Sequence, residues 1–536
     1  DVTWKLRAMW ALHAIGGMTP EILTELLGHA DDDIRAWAVM LAVDSDKPEP
    51  AAIAAVVQQI EREESPFVLQ FAAGVSQRIA GADGRRLARA VEWRVLDSDH
   101  SNLALAGWYA VQKALAGTDR EADWTDFLEH SRHPLIGRHI ARYLVISAPA
   151  GRRDARLKYL VEYLDNVKIE SSQLPVLTGM QDALANLREA PEPAGWGQLY
   201  PQLAASEVAE VRTRAEALAV LFGNARAIAD LKTRAADGKA EPAARAAAIE
   251  LLARRRVDGL PALLHPFLTD AAVRGPAVRA LAAVPDETTA AKVLAAYPTF
   301  TPAEKADAVQ TLSSRPSWAL ALLGAVEKGA VPRADVSLVA ARQILALNNP
   351  AVTEKLGTAW GTIRPASGDR AALSRKWRGV LTTEYLRTAD VVNGRQLFTR
   401  HCASCHRLFG EGGDLGPDLT GSQRTNLEYL LENVLDPSAV VPREFRVTNV
   451  RLTDGRLVSG VVTADTPEGM TVRTTNQTVV VPRADIEGVQ GTSLSIMPEG
   501  LFDNLRPEEV RDLVAYLGRP HQVPLPETAP PPTPRK

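Results

Sequence analysis

Two residues hold all of the thiol chemistry in this chain, Cys402 and Cys405, and His406 follows them directly. Cys-x-x-Cys-His is the spacing of covalent c-type haem attachment. That chemistry needs two thiols at a tight turn, each adding to a vinyl group as a thioether. It also needs an adjacent imidazole to take the iron as proximal ligand. Two other uses of such a pair compete. Half a zinc site would need two more ligands, and no second Cys/His cluster follows in the sequence. A thioredoxin-like pair needs a βαβ context, whereas the segment Gly394–Phe398 predicts a short helix leading into the motif. Gly394 and Phe398 share a face of that helix at i, i+4. No cysteine is left over for a structural disulfide.

A haem iron that only carries electrons needs a second axial ligand. After the motif the sequence offers Met470, Met497 and His521. Met497 lies in Ser495-Ile496-Met497-Pro498-Glu499-Gly500, a Pro/Gly-bounded loop before a helix that runs from Arg506 to Leu517. Pro507 and two acids occupy the first turn of that helix, and Val510, Leu513, Val514 and Leu517 form its apolar stripe. Met470 falls in an alternating, strand-like run and His521 in a Pro-rich tail. Met497 is therefore the expected ligand, the rival being a methionine that only lines the pocket. A thioether is soft and favours ferrous iron, so His/Met ligation raises the potential. With both axial positions closed, the expectation is electron transfer and not enzymatic oxygen or peroxide chemistry.

Between the motif and Met497 lies more chain than a minimal haem module requires. Phe445–Leu452 alternates, Asp454-Gly455 marks a hairpin turn, and Leu457–Thr463 returns. Met470–Thr474, Val479–Val481 and Ile486–Val489 read as further strands. The expectation is a small antiparallel β insertion over about 443–492, either a lid over one haem edge or a partner-docking surface.

Residues 1–350 are rich in Ala, Leu and Arg and predict helix nearly throughout. Ile34-Arg35-x-x-Ala38-x-x-Leu41 recurs as Val211-Arg212-x-x-Ala215-x-x-Leu218 and as Ala244-Arg245-x-x-Ala248-x-x-Leu251. A looser copy starts at Val273-Arg274, and weaker ones centre near Val68, Leu103, Ile136 and Val176. Positions i, i+4 and i+7 share a helix face, and the mid-stripe Ala lets a second helix come close. Asp31-Asp32-Asp33 and Glu241-Pro242 supply start signals. Stacked helix pairs would bury a continuous core, so the pattern predicts an α-solenoid over 1–350 that resembles HEAT-type (HEAT-like) repeats, the rival being a non-repeating helical bundle. His29, His100, His133 and His139 show no metal-ligand spacing and are expected to serve packing. A connector is expected over 351–390, broken by Ile363–Gly368, and a disordered Pro-rich tail over 521–536.

The net charge of −4 in 536 residues excludes a nucleic-acid footprint, and no apolar run is long enough for a transmembrane helix. The chain begins at Asp1 with no signal-peptide pattern, as a mature form or a fragment would.

The run Cys402-Ala403-Ser404-Cys405-His406-Arg407-Leu408-Phe409-Gly410-Glu411-Gly412-Gly413, then Gly416-Pro417-Asp418-Leu419-Thr420-Gly421, resembles the Planctomycete–Verrucomicrobium type of haem-binding domain. Asn433-Val434-Leu435-Asp436-Pro437-Ser438 and Ser495–Leu501 share the likeness, which covers about 391–518. It implies a mainly α protein whose residues 391–520 form a class I cytochrome c-like helical domain with a β insertion. It also implies one covalent haem c, with Pro417 offering its carbonyl to the His406 Nδ1, Leu419 beside the haem, and the helix before Cys402 crossing the one around Leu513. Export to the periplasm is implied, since c-type haem is attached outside the cytoplasm. A redox partner protein is the implied partner. The alternative is an electron-accepting subunit or fragment of a periplasmic sugar or alcohol dehydrogenase. Relatives often carry a β-propeller that is absent from this sequence, so no dehydrogenase residues are transferred.

Overall fold

The computed structural model describes residues 1–525 except 46–47, 96–100, 117, 132, 150, 168, 362–369 and 440. His100, the break at 363–368 and residues 526–536 of the expected tail therefore lie outside the described residues. The chain divides into two compact units, Asp1–Ala185 with Glu189–Ile228, and Asn186–Arg188 with Ala229–Lys536.

The first unit is helical, and its helices pack on their next-but-one neighbours. One row runs through Val2–Ala14, Asp32–Leu41, Pro66–Val75, Ser101–Leu115, Pro134–Ile146, Glu170–Ala183 and Ala209–Leu221. The apolar stripes read from the sequence form this packing, with Ile34, Val68, Leu103, Ile136, Val176 and Val211 all buried. Ala38 and Ala215 are completely buried, which is the close approach that a small side chain permits. Asp31 caps its helix by accepting from the backbone N–H of Asp33 and Ile34. His133 caps another by accepting from the Leu135 N–H, and His139 stacks on Trp108 at 5.2 Å.

The second unit opens with the same alternation. Pro242–Arg255, Arg274–Leu281 and Pro302–Leu312 pack in one series, and Thr289–Ala296, Pro316–Glu327 and Pro350–Ala359 in another. The recurring arginine has a structural explanation in both units. Arg35 donates to the His29 and Ala30 carbonyls and to Glu63. Arg245 donates to the Ala235 carbonyl and Asp270, and Arg274 to the Thr299 carbonyl and Glu304. Each guanidinium thus satisfies carbonyls stranded at a helix end and pairs with an acid one hairpin further along.

After the helices comes a five-stranded antiparallel sheet. Its strands are numbered after the two-residue strands β1 (Arg407–Leu408) and β2 (Glu411–Gly412) near the motif. They are β3 (Arg446–Leu452), β4 (Leu457–Asp465), β5 (Gly469–Arg473), β6 (Thr478–Pro482) and β7 (Ile486–Ser495), in the order β6-β5-β4-β3-β7. The hairpin β3–β4 turns at Asp454-Gly455, with Gly455 at φ +79°. Val450, Leu452, Val458, Met470, Val472 and Val481 close the sheet's own core, which is why Met470 is buried there and held away from other roles. β7 continues six residues past the expected Val489, through a largely exposed stretch that carries no apolar alternation. Within this unit the sheet is fastened to the helices. The Leu457 N–H donates to the Ser314 carbonyl at 2.9 Å, Asn476 donates to Asp307 at 2.9 Å, and Arg315 pairs with Asp454 at 3.1 Å.

The motif itself belongs to a helical module made of a lead-in helix Val391–His401, a middle helix Leu427–Leu435 and a closing helix Pro507–Leu517. Part of the expected connector belongs to it as well. Helix Arg370–Val380 buries Trp377 in the same core as Leu397, Phe398, Leu431, Leu513 and Tyr516, and Leu381 follows it in. The Trp377 ring meets Phe502 edge-on at 5.4 Å. The first described residues of the expected tail are also fixed, since Val523 joins that core and Gln522 accepts from the Tyr516 hydroxyl.

Candidate functional site

The lead-in helix starts at Asp390, whose carboxylate accepts from the N–H of Val392 and Asn393. It crosses the closing helix at Gly394. A Cβ there would lie 2.1 Å from the Asp512 carbonyl oxygen and 2.7 Å from the Tyr516 Cβ, so only glycine fits. Asp512 is 3 % exposed and latches the crossing, accepting from the Asp390 N–H, from Asn393 Nδ2 and from Arg511. Phe398 and Tyr516 meet at 5.7 Å beneath.

The helix stops at His401, immediately before the motif. The Cys402 and Ala403 N–H groups both donate to the Phe398 carbonyl, and the Cys405 and His406 N–H groups both donate to the Cys402 carbonyl. This double turn brings Cys402, Cys405 and His406 together in one compact segment. Both cysteines are free thiols. Burial, with Cys405 adding to it, pushes the Cys402 thiol up to about 12, and burial also raises Cys405. A redox-exchanging Cys-x-x-Cys needs the opposite shift. Among the described residues the one group of three acids or imidazoles within metal-binding reach is Asp31, Asp32 and Asp33, so no zinc set forms around the cysteines.

Two loops hold His406. Strands β1 and β2 are joined by Phe409 and Gly410, both at positive φ (54° and 83°), the conformation of a tight hairpin turn. The Phe409 N–H donates to the Thr420 hydroxyl, and Arg424 lies over the Phe409 ring at 4.7 Å while donating to the Leu517 carbonyl. Chain 413–419 then folds back along the turn, with N–H groups of Gly413, Gly416 and Leu419 donating to carbonyls of Ala403, Cys405 and Arg407. Gly416 passes so close that a Cβ would sit 2.7 Å from the imidazole Cε1. Next to it, His406 Nδ1 lies 2.9 Å from the Pro417 carbonyl oxygen. A carbonyl can only accept, so Nδ1 carries the proton and Nε2 keeps the lone pair that an iron takes.

Leu419 is half-buried on the module's core together with Cys402, Ala403, Phe409, Leu427 and Leu505, leaving an apolar rim beside the thiols. Ile496 packs with Leu415, Val461, Val447 and Cys405 in a second cluster. The residue before Met497 and two strands of the β insertion therefore meet at Cys405. The Met497 N–H is fixed by the Ser495 hydroxyl at 3.1 Å. Of the rivals, Met470 is enclosed in the sheet and His521 is exposed.

These residues fit a covalent haem, offering two unpaired thiols, an imidazole with the correct nitrogen free, an apolar rim and a half-buried thioether on an adjoining loop. Sequence reasoning placed Gly394 on a face with Phe398 without giving it a role, and it assigned none to Gly416, Asp512 or Ile496; all four hold the site without touching the chemistry. Gly416 was visible only as a member of a glycine-rich run.

Residues 391–439 match the Cytochrome c family. The chain carries a cytochrome c-type domain, which implies haem c and a haem-based electron-transfer role. No curated protein matches the chain. Among solved structures, the chain is similar to one in "Homology model of the full-length AP-3 complex in an intermediate open conformation". The identity is 12 %, the match covers 75 % of this chain and 76 % of that one, and the TM-score is 0.35. It is also similar to a crystallised engineered protein at 17 % identity, covering 61 % of this chain and 98 % of that one, with a TM-score of 0.26. No helix among the described residues is long and apolar enough to cross a membrane.

Proposed function

We propose that this protein is an exported, single-haem c-type cytochrome of the Planctomycete–Verrucomicrobium type that passes electrons between protein partners, with residues 1–350 as a HEAT-like docking scaffold. The observation that carries the reading is the bond from His406 Nδ1 to the Pro417 carbonyl, because beside two thiols at c-type spacing it leaves the imidazole Nε2 oriented and free for a metal. Bound haem would supply a one-electron ferric/ferrous couple. Cys402 and Cys405 would tether it, His406 Nε2 and the Met497 thioether would hold its iron, and Leu419 would line it. Next-but-one helix packing, with Ala38, Ala215, Ala248 and Ala277 completely buried in their stripes, supports a solenoid. The protein is not itself an enzyme in this reading.

Met497→Ala tests the distal assignment. Haem incorporation should persist while the reduction potential falls by an amount on the order of 100 mV, within the ~0.8 V that axial ligands span. Carbon monoxide should bind the reduced variant and not the parent. An unchanged potential and an unreactive variant would leave Met497 as lining only.

The partner's charge is constrained too. Residues 391–520 hold 13 Arg, 17 Asp/Glu and no Lys. With no lysine ring, docking relies on apolar contact and on exposed Arg400 and Arg407. Reduction by a partner should change little more than about twofold between roughly 0.01 and 0.1 M salt, over which the Debye length falls from ~30 to ~10 Å. A steep decline would point to charge-steered docking.

A further inference from the structure

Arg456 opens β4's side of the β3–β4 turn and is 6 % exposed. Among the described residues its guanidinium makes no hydrogen bond, and Nε is fully enclosed and unpartnered. Burial, with Arg315 and Arg256 nearby, holds it down to about 10, so it is still charged at neutral pH. Asp454 attracts it without a side-chain hydrogen bond to it and is itself paired with Arg315. Asp454 accepts from Arg315 Nη2 at 3.1 Å and from the Arg456 backbone N–H, and Asp485 lies 3.0 Å from Arg256 and 3.6 Å from Arg188. A buried, unpaired guanidinium is costly unless a counter-charge accompanies it.

Arg456 lines a partly enclosed cavity of about 20 Å³ where the sheet meets helices Pro302–Leu312 and Leu338–Ala346. Every other side chain lining it is uncharged. Two amides are available to a ligand. Gln343 is 4 % exposed and uses its oxygen to accept from Gln310, and its amide nitrogen makes no hydrogen bond among the described residues. The Gln477 side chain likewise makes none there. The volume suits one water-sized occupant and is too small for phosphate.

We infer that this cavity binds one small monovalent anion of halide size, held by the Arg456 guanidinium and the Gln343 amide, and that the anion fastens the sheet to the helices. A water would fill the space but would not neutralise the cation. The site is separate from the thiols and does not depend on the haem reading.

Crystals of the full haem-loaded chain soaked in sodium bromide, with data collected at the bromine edge, give the direct test. The expected result is an anomalous peak in the cavity within hydrogen-bonding reach of Arg456. In solution, the thermal midpoint should rise with chloride relative to gluconate at matched ionic strength. Arg456→Gln should raise the half-saturating chloride concentration roughly tenfold or more, as loss of a charged hydrogen bond does. Gln343→Glu keeps the arginine and supplies a fixed counter-charge, so its midpoint should no longer respond to chloride. An ordered water alone in bromide-soaked crystals, or equal parent midpoints in chloride and gluconate, would overturn the inference.

Discussion

Cys402→Ala/Cys405→Ala double-variant protein, matured alongside the parent, should give no haem-stained band on a denaturing gel. Without thioethers, only coordination by His406 and Met497 would remain, and unfolding abolishes both bonds at once. Each single variant keeps one tether and should stain at reduced yield. The helical units should be unaffected, because Cys402 and Cys405 are only half-buried at the rim of the module. A double variant that stained as strongly as the parent would show the pigment to be held by other residues. The raised thiols predict a further feature. In the absence of haem the pair should react slowly with thiol reagents at neutral pH, unlike a catalytic Cys-x-x-Cys.

The second large effect concerns Gly394, and its sign is the test. Replacing a helix-interior glycine by alanine ordinarily stabilises by about 1 kcal/mol. At this crossing the added methyl would lie 2.1 Å from a backbone carbonyl of the closing helix, which has no flexible side chain to swing aside. The helices must separate, and the Asp512 latch to Asp390 and Asn393 loosens with them. Overpacking of this kind costs typically ~1–3 kcal/mol, and loosening the buried latch adds to it. Gly394→Ala should therefore destabilise the haem-loaded module by about 3 kcal/mol, read as a lower denaturant midpoint for loss of the native visible spectrum. Set against a typical domain stability of 5–15 kcal/mol, that is a large fraction. A raised midpoint would mean that the two helices do not cross at this residue.

Much of this architecture could be read in advance where the signal was local. The thiol pair and histidine gave the chemistry. Alternation and the Asp454-Gly455 turn gave β3 and β4, and the Ile34-type stripes gave the buried face of the helices. The strand expected at Ile486–Val489 ended early because the rest of β7 is exposed and lacks an apolar face. The edge at 391 was drawn from a change in composition, yet Trp377 and Leu381 are buried inside the module. No local pattern announces that a helix after a Pro/Gly break will pack on the middle helix Leu427–Leu435 and against Phe502. The docking of the sheet on the helices was equally hidden. It rests on pairs such as Arg315–Asp454 and Asp307–Asn476, which are 139 and 169 residues apart. It also changes the meaning of the insertion, whose strands reach Cys405 through Val447 and Val461 while its hairpin holds the helices.

The Gly416-Pro417 contact with His406 is the case in which spacing and fold meet. Eleven residues separate the carbonyl from the ring, and the intervening chain must reverse through a positive-φ phenylalanine to bring them to 2.9 Å. A non-glycine residue at φ 54° is strained, and the Thr420 hydroxyl and Arg424 stacked on the ring hold it there. That strain is maintained beside the imidazole, where its orientation matters most.

The most direct measurement is the intact mass of the full chain, expressed with haem-maturation machinery and denatured before analysis. One haem's mass per chain, unremoved by acidified acetone and absent from the double-cysteine variant, is the expected result. A parent chain at its bare polypeptide mass, or one whose pigment leaves with the solvent, would contradict the assignment of Cys402, Cys405 and His406 to a tethered haem.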